Sequence, residues 1–148
     1  MNGSPLESLT LFIDRNSGGR IFRDLLISQG LNIVLHDEEF AQKTADEDWL
    51  MSVGEQGWVV ITGDNATTSS PLFLQRLARS KTFVFVLHGL NGASREGKAD
   101  CISKAFPTIK RLVKENQPPS VWRIGKDGTA RKFDFENILN RMRRSGKR

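Results

Sequence analysis

Two short apolar runs in this chain end in the same way. Leu9-Thr10-Leu11-Phe12-Ile13 is followed at once by Asp14, and Trp58-Val59-Val60-Ile61-Thr62 by Gly63-Asp64. A short, nearly continuous apolar run rich in β-formers reads as a strand buried on both faces, the kind found in parallel sheets covered by helices. A carboxylate at the carboxyl end of such a strand stands where open α/β sheets place their ligands.

The stretch between the two runs fits that frame. Ile21, Phe22, Leu25 and Leu26 recur at helical spacing, Asn16 or Ser17 can cap the helix, and Gly30 can stop it. Leu31 to Leu35 is a second strand, which completes a parallel βαβ unit. His36 to Lys43 reads as a loop carrying Asp37, Glu38 and Glu39. Thr44 with Glu47 is a capping-box pattern, so a helix is expected from there. On that helix Asp46 shares a face with Leu50 and Val53, with Trp49 close by, whereas Glu47 and Asp48 point away. First-turn acids suit the helix dipole, which accounts for Glu47 and Asp48. An acid on the packed side needs a partner, so Asp46 calls for another explanation. With strand order 2-1-3-4, the first and third strands are neighbours roughly 5 Å apart, and Asp14 faces Asp64.

The second half continues the alternation. Ser69 or Ser70 before Pro71 starts a helix whose core face is Leu72, Phe73, Leu74, Leu77 and Ala78. Thr82 to Leu87 is the fourth strand, with His88 at its carboxyl end as a rim residue. Ser94 caps a helix carrying Cys101, Ile102, Ala105 and Phe106 inward, and Pro107 kinks it or starts another. Cys101 reads as a small core residue rather than a nucleophile. Val121 to Ile124 and Thr129 to Phe133 flank Asp127-Gly128, a hairpin signal, and the hairpin is expected as an antiparallel appendage. Phe135, Ile138, Leu139 and Met142 form a last helix. One domain over residues 1–148 is expected, with flexible tails at 1–8 and 141–148.

Charge is unevenly spread. Residues 1–65 hold 11 acids and 4 bases; residues 66–148 hold 6 acids and 18 bases. Acid clusters attract divalent cations and basic surfaces attract phosphates. The segment 141–148 alone has five bases and no acid, including Arg141, Arg143 and Arg144. One cysteine rules out an internal disulfide and fits a reducing, cytoplasmic setting. One cysteine and two histidines exclude a finger-type zinc site. No apolar run is long enough to span a bilayer, and Met1 to Ser8 lacks the pattern of a signal peptide. A Gly-rich phosphate loop with its lysine and a nucleophile-elbow serine are both missing.

Three inward aspartates from separate elements, Asp14, Asp46 and Asp64, suit a hard cation, Mg²⁺ or Mn²⁺. Such a metal would activate water and offset the charge of a phosphodiester. Phe12-Ile13-Asp14-Arg15-Asn16, Asn32 to Asp37, Asp46 to Leu50 and Gly57 to Asp64, taken in that order and spacing, resemble the PIN-like superfamily, in particular the compact proteins grouped with VapC-type toxins. The resemblance covers roughly the first two-thirds of the chain. It implies a three-layer α/β/α sandwich with a mainly parallel central sheet, order 2-1-3-4 for the first four strands, here followed by the C-terminal β-hairpin. It implies Mg²⁺- or Mn²⁺-dependent endoribonuclease activity, and for toxin members an antitoxin partner; a homodimer is left open and a membrane is not implied. The family's catalytic and metal-binding acids carry over to Asp14, Asp46 and Asp64. Asp48, Glu96 and Asp37 are candidates for a fourth acid, and Asn16 and Asn65 for neutral oxygens. Arg15, His88, Arg141, Arg143 and Arg144 are the expected RNA contacts. Two other readings compete. Asp14 and Gly63-Asp64 echo haloacid-dehalogenase-like phosphohydrolases, although Asn16 stands where those have a second acid. A non-catalytic PIN-like module that binds RNA or protein through its basic half is the other.

Overall fold

The apolar runs form strands whose side chains are buried on both sides. In a computed structural model, which describes residues 9–14, 19–40, 46–64 and 70–146, β1 is Thr10–Ile13, β2 Asn32–Leu35, β3 Val59–Thr62, β4 Phe83–Leu87, β5 Ser120–Ile124 and β6 Ala130–Phe133. They make one sheet in the order β2-β1-β3-β4-β5-β6. β1 to β5 pair parallel among themselves, and β6 runs antiparallel to β5. The hairpin is therefore only half an appendage. β5 pairs parallel with β4 and extends the main sheet, because Val121 and Ile124 are apolar enough to be buried there. Only β6, with exposed Arg131 and Lys132, has the charged pattern of an edge.

Helices cover both faces. On one side α1 (Arg20–Ser28) and α5 (Arg95–Glu115) pack through Phe22, Leu26, Ile102, Ile109 and Leu112 onto Leu11, Ile13, Ile61 and Phe85. On the other, α3 (Asp46–Gln56), α4 (Pro71–Arg79) and α6 (Phe135–Gly146) pack through Leu50, Val53, Leu74, Leu77 and Leu139 onto Phe12, Val60, Val84 and Val121. The result is a three-layer α/β/α sandwich. No helix among the described residues is long and apolar enough to cross a membrane.

The helix ends follow local chemistry. Ser70 caps α4 by accepting from the Phe73 amide, with Pro71 at the first position. Ser94 caps α5 by accepting from the Gly97 amide. Pro107 lies inside α5, which continues through it as one helix. Ile21, Leu72 and Ala78 are exposed, contrary to the expected core faces. Each lies roughly 90° or more from the centre of its helix's buried stripe, which is Phe22 and Leu26 in α1 and Phe73, Leu74 and Leu77 in α4. Cys101 is half-buried against the core, and burial together with the Asp100 carboxylate raises its thiol pKa. α6 runs through Gly146, so residues 141–146 are helical, while 1–8 and 147–148 lie outside the described residues.

The expected loop after β2 begins instead with a short helix, α2 (His36–Glu39), and His36 is buried. The cause is an aromatic cluster around Phe12. The Phe12 ring stacks on Trp49 at 5.4 Å and on Trp58 at 6.2 Å, and meets Phe40 edge-on at 5.8 Å. His36 lies 5.9 Å from the Phe12 centroid and bonds Asp37 through Nδ1 at 3.1 Å. An Arg23–Glu38 ion pair ties α1 to α2.

The crossovers differ in hand. β1 to β2 moves one way along the sheet beneath α1; β2 to β3 moves the other way beneath α3, on the opposite face; β3 to β4 continues that way beneath α4 on the same face. These three share one hand, as parallel crossovers normally do. β4 to β5 continues in the same direction, but α5 packs on the α1 face, so this crossover has the opposite hand. The sheet face beneath β5 and β6 is thus left without α5.

Helix α3 sits close to the sheet through Gly54. A Cβ there would stand 2.8 Å from the Thr82 hydroxyl and 3.1 Å from the Lys81 carbonyl oxygen. Thr82 is itself buried and donates to the Leu50 carbonyl at 3.2 Å, so it cannot easily move aside. In an open helix, Gly→Ala adds about 1 kcal/mol of stability. Here Gly54→Ala should reverse that sign and destabilise the protein by about 1–3 kcal/mol, read as a lower midpoint in chemical denaturation.

Candidate active site

The site follows from the register of β1 against β3. Leu11, Phe12 and Ile13 pair with Val59, Val60 and Ile61, so Asp14 lies beside Thr62 at the carboxyl end of both strands. The Asp14 amide donates to the Ile61 carbonyl at 3.0 Å, which continues the ladder one step past the strand. Side chains alternate along a strand, so Asp14 and Thr62 both point to the face of Phe12 and Val60, the side of α3, α4 and α6.

Thr62 joins the two acids. Its hydroxyl donates to Asp14 Oδ2 at 2.9 Å and accepts from the Asp64 amide at 3.0 Å. Thr62 is 1% exposed, while Asp14 and Asp64 are half-buried. A buried hydroxyl is costly unless bonded, and here its donor is used on Asp14 and its acceptor on the Asp64 amide. The bond limits the rotation of the Asp14 carboxylate and fixes the turn on which Asp64 is carried.

Gly63 brings in a further polar group. A Cβ on Gly63 would overlap the Asn91 side chain and stand 2.8 Å from the Asn91 backbone nitrogen. The loop after β4 therefore lies directly on this glycine, with the Asn91 amide oxygen beside the Thr62–Asp64 turn. Sequence reasoning missed Thr62 and Asn91. A polar residue closing an otherwise apolar strand was the available signal for Thr62; the Asn91 contact depends on tertiary approach and leaves no local mark.

The other expected residues fall as follows. Asp46 is the first residue of α3, held near the sheet by the stacking of Trp49 on Phe12, but its side chain is outside the described residues. Arg15, Asn16 and Asn65 are likewise outside them. Asp48 is exposed on α3, Asp37 lies exposed on α2 and bonds His36, and Glu96 is exposed in the first turn of α5. Among the described residues no group of three or more His, Cys, Asp or Glu side chains is arranged to hold a metal, so Asp37, Asp48 and Glu96 do not join the Asp14–Asp64 pair as a fourth acid. Each sits on a helix turn that faces water, where local capping and dipole effects account for an acid. His88 is exposed at the end of β4, its amide bonded to the Ile124 carbonyl at 2.9 Å. Arg141, Arg143 and Arg144 are exposed on α6.

The donor set is hard: two carboxylates. Mg²⁺ keeps several waters and takes one or two carboxylates together with substrate phosphates, so Asp14 and Asp64 are chemically suited to it. The Thr62 hydroxyl bonds the Asp14 carboxylate and the Asp64 backbone amide, which brings both acids to the same end of the sheet, where a cation would offset their like charge.

No curated protein and no solved structure matches the chain. Residues 9–89, more than half of its length, match the family described as PIN like domain, a span that runs from β1 to the residue after His88 and contains Asp14, Thr62 and Asp64. The chain belongs to the PIN-like domain family.

Proposed function

We propose that this protein is a metal-dependent endoribonuclease of the PIN-like class, with Asp14 and Asp64 as the carboxylates that hold Mg²⁺ or Mn²⁺ and Asp46 as a third from α3. The observation that carries this reading is the Asp14–Thr62–Asp64 linkage at the carboxyl ends of adjacent parallel strands. The match to a nuclease-type fold over the same residues supports it. A divalent cation bound there would supply charge compensation for a phosphodiester and a more acidic water.

The chain's own groups do the rest. Thr62 orients the Asp14 carboxylate, and the same hydroxyl anchors the Asp64 turn. Asn91, packed on Gly63, holds the loop after β4 against the turn that carries Asp64. The role of a toxin with an antitoxin partner belongs to the same proposal and rests on the resemblance of the Asp14, Asp46 and Asp64 segments to VapC-type proteins. Expression of the wild-type protein in a bacterial host should then arrest growth, and Asp14→Asn should not.

A second reading is favoured by the basic second half of the chain, where residues 66–148 hold 18 bases against 6 acids. On that reading the protein is a PIN-like module that binds RNA without cutting it. Calorimetric titration with Mn²⁺ separates the two, since a nuclease should bind the ion at millimolar or lower concentration and the Asp14→Asn, Asp64→Asn double variant should not.

For the nuclease, each of Asp14→Asn and Asp64→Asn should reduce Mg²⁺-dependent cleavage of an oligoribonucleotide by at least about a hundredfold with unchanged circular dichroism. Full activity in both would end the proposal. Thr62→Val keeps the shape and removes the hydroxyl. It should lower activity about 10–100-fold, the usual cost of losing a group that orients a metal ligand, and weaken Mn²⁺ binding in parallel.

A further inference from the structure

The register that sets Asp14 beside Thr62 continues across the sheet. Thr62 pairs with Val86, Val86 with Arg123, and Arg123 with Arg131. These residues lie on one line perpendicular to the strands, one per strand, on one face. Arg123 and Val121 share that face, as do Arg131 and Phe133, since both pairs are two residues apart. The line starts in carboxylates at β1 and β3 and ends in guanidinium groups at β5 and β6.

The surface there is open and shaped. A groove of about 610 Å³ is lined by Val86, His88, Arg123, Ile124, Thr129 and Arg131. It is open because α5 crossed on the other face, leaving α6 alone to cover this end of the sheet. Arg123 stacks over the Phe133 ring with its guanidinium carbon 4.8 Å from the centroid, which holds the group over the sheet. Asp127 also borders the groove, but its carboxylate accepts from the Thr129 amide at 2.9 Å, and that bond holds its pKa below the usual range. The charge of Arg131 also lowers it, so ionised Asp127 offsets part of the positive charge of the groove. α6, on the same face, presents Arg141, Arg143 and Arg144 to solvent.

We infer that Arg123 and Arg131 form a phosphate clamp for single-stranded RNA, which lies across the strands from the Asp14–Asp64 pair towards β6. Strand spacing puts the two arginines about 10 and 14 Å from Thr62, so they grip phosphates beyond the one at the acids. Arginine suits this task because its planar fork matches phosphate oxygens. Both residues lie outside the family match at 9–89, so the clamp is a property of this chain's second half. Only the position of the cut relative to the clamp rests on the nuclease reading; the clamp itself is a binding site.

The test measures binding without cleavage. Fluorescence anisotropy of a labelled unstructured oligoribonucleotide is followed in EDTA as salt is raised. Arg123→Gln with Arg131→Gln should weaken binding about tenfold at low salt and make the slope of log K against log salt shallower by about 1.4, two phosphates' worth for a single strand. Arg111→Gln with Lys114→Gln removes the same charge from exposed positions of α5, on the other face, and should leave the slope close to the wild type. Arg123→Lys with Arg131→Lys should recover most of the slope. The single variant Arg131→Gln, with Arg123 still stacked on Phe133, should lose about half the slope change and guards against misfolding of the double. Equal weakening by both Gln pairs, no RNA binding by the wild type, or equally good competition by polyglutamate would overturn the clamp. Loss of cleavage with the Arg-dependent binding retained would instead count against the nuclease reading alone.

Discussion

One buried hydroxyl links the two strand ends that carry the candidate acids. Thr62 uses its donor on Asp14 and its acceptor on the Asp64 amide, so one side chain joins the ends of two strands. This works only because β1 and β3 are adjacent, parallel and in one register. Shifting β1 by one residue would turn Asp14 to the other face and bury Phe12 against the wrong helices. The register is itself fixed by burial: Leu11 and Ile13 fill one core, Phe12 the other, and all three are fully buried.

The packing that enforces this register is concentrated near the site. Phe12 is the residue next but one to Asp14, and four rings surround it, from α2, α3, the residue after α2 and the residue before β3. Such ring contacts add directional preference to simple burial. They hold α3 against the strand that bears Asp14, and Gly54 lets the same helix approach Thr82 closely. On the far side of Thr62, Gly63 admits the Asn91 loop. Two glycines thus set the closeness of the helix and the loop that border the acids.

The strands, the 2-1-3-4 order and the pairing of Asp14 with the Asp64 turn were legible because they rest on local patterns: continuous apolar runs, and an acid at each end. The caps at Ser70 and Ser94 were legible for the same reason. The buried His36 was not, since a histidine after a strand reads as a loop residue until aromatic rings gather around it. The exposure of Asp48 and Glu96 was half legible: their first-turn positions already offered a local explanation, and the structure leaves them with it. The parallel placement of β5 was hidden because Asp127-Gly128 signals the hairpin but says nothing of what the hairpin pairs with. The pairing of β5 with β4, the contact of Asn91 with Gly63 and the line from Thr62 to Arg131 all join residues distant in sequence.

The reversed hand of the β4–β5 crossover connects these observations. From β3 to β6 the strand order in space follows the order in sequence, so a gradient along the chain becomes a gradient across the sheet. The acid-rich first 65 residues supply β1 and β3, and the basic remainder supplies β5, β6 and α6. Had α5 crossed with the same hand as α3 and α4, it would lie over Arg123 and Arg131, and their charge would be buried or expelled. With α5 on the other face, the arginines stay on a solvent-facing groove in line with the carboxylates. A polyanion meeting that edge would find attraction at one end and a demand for cations at the other. The electrostatic direction of the molecule therefore follows from which face a single helix chose.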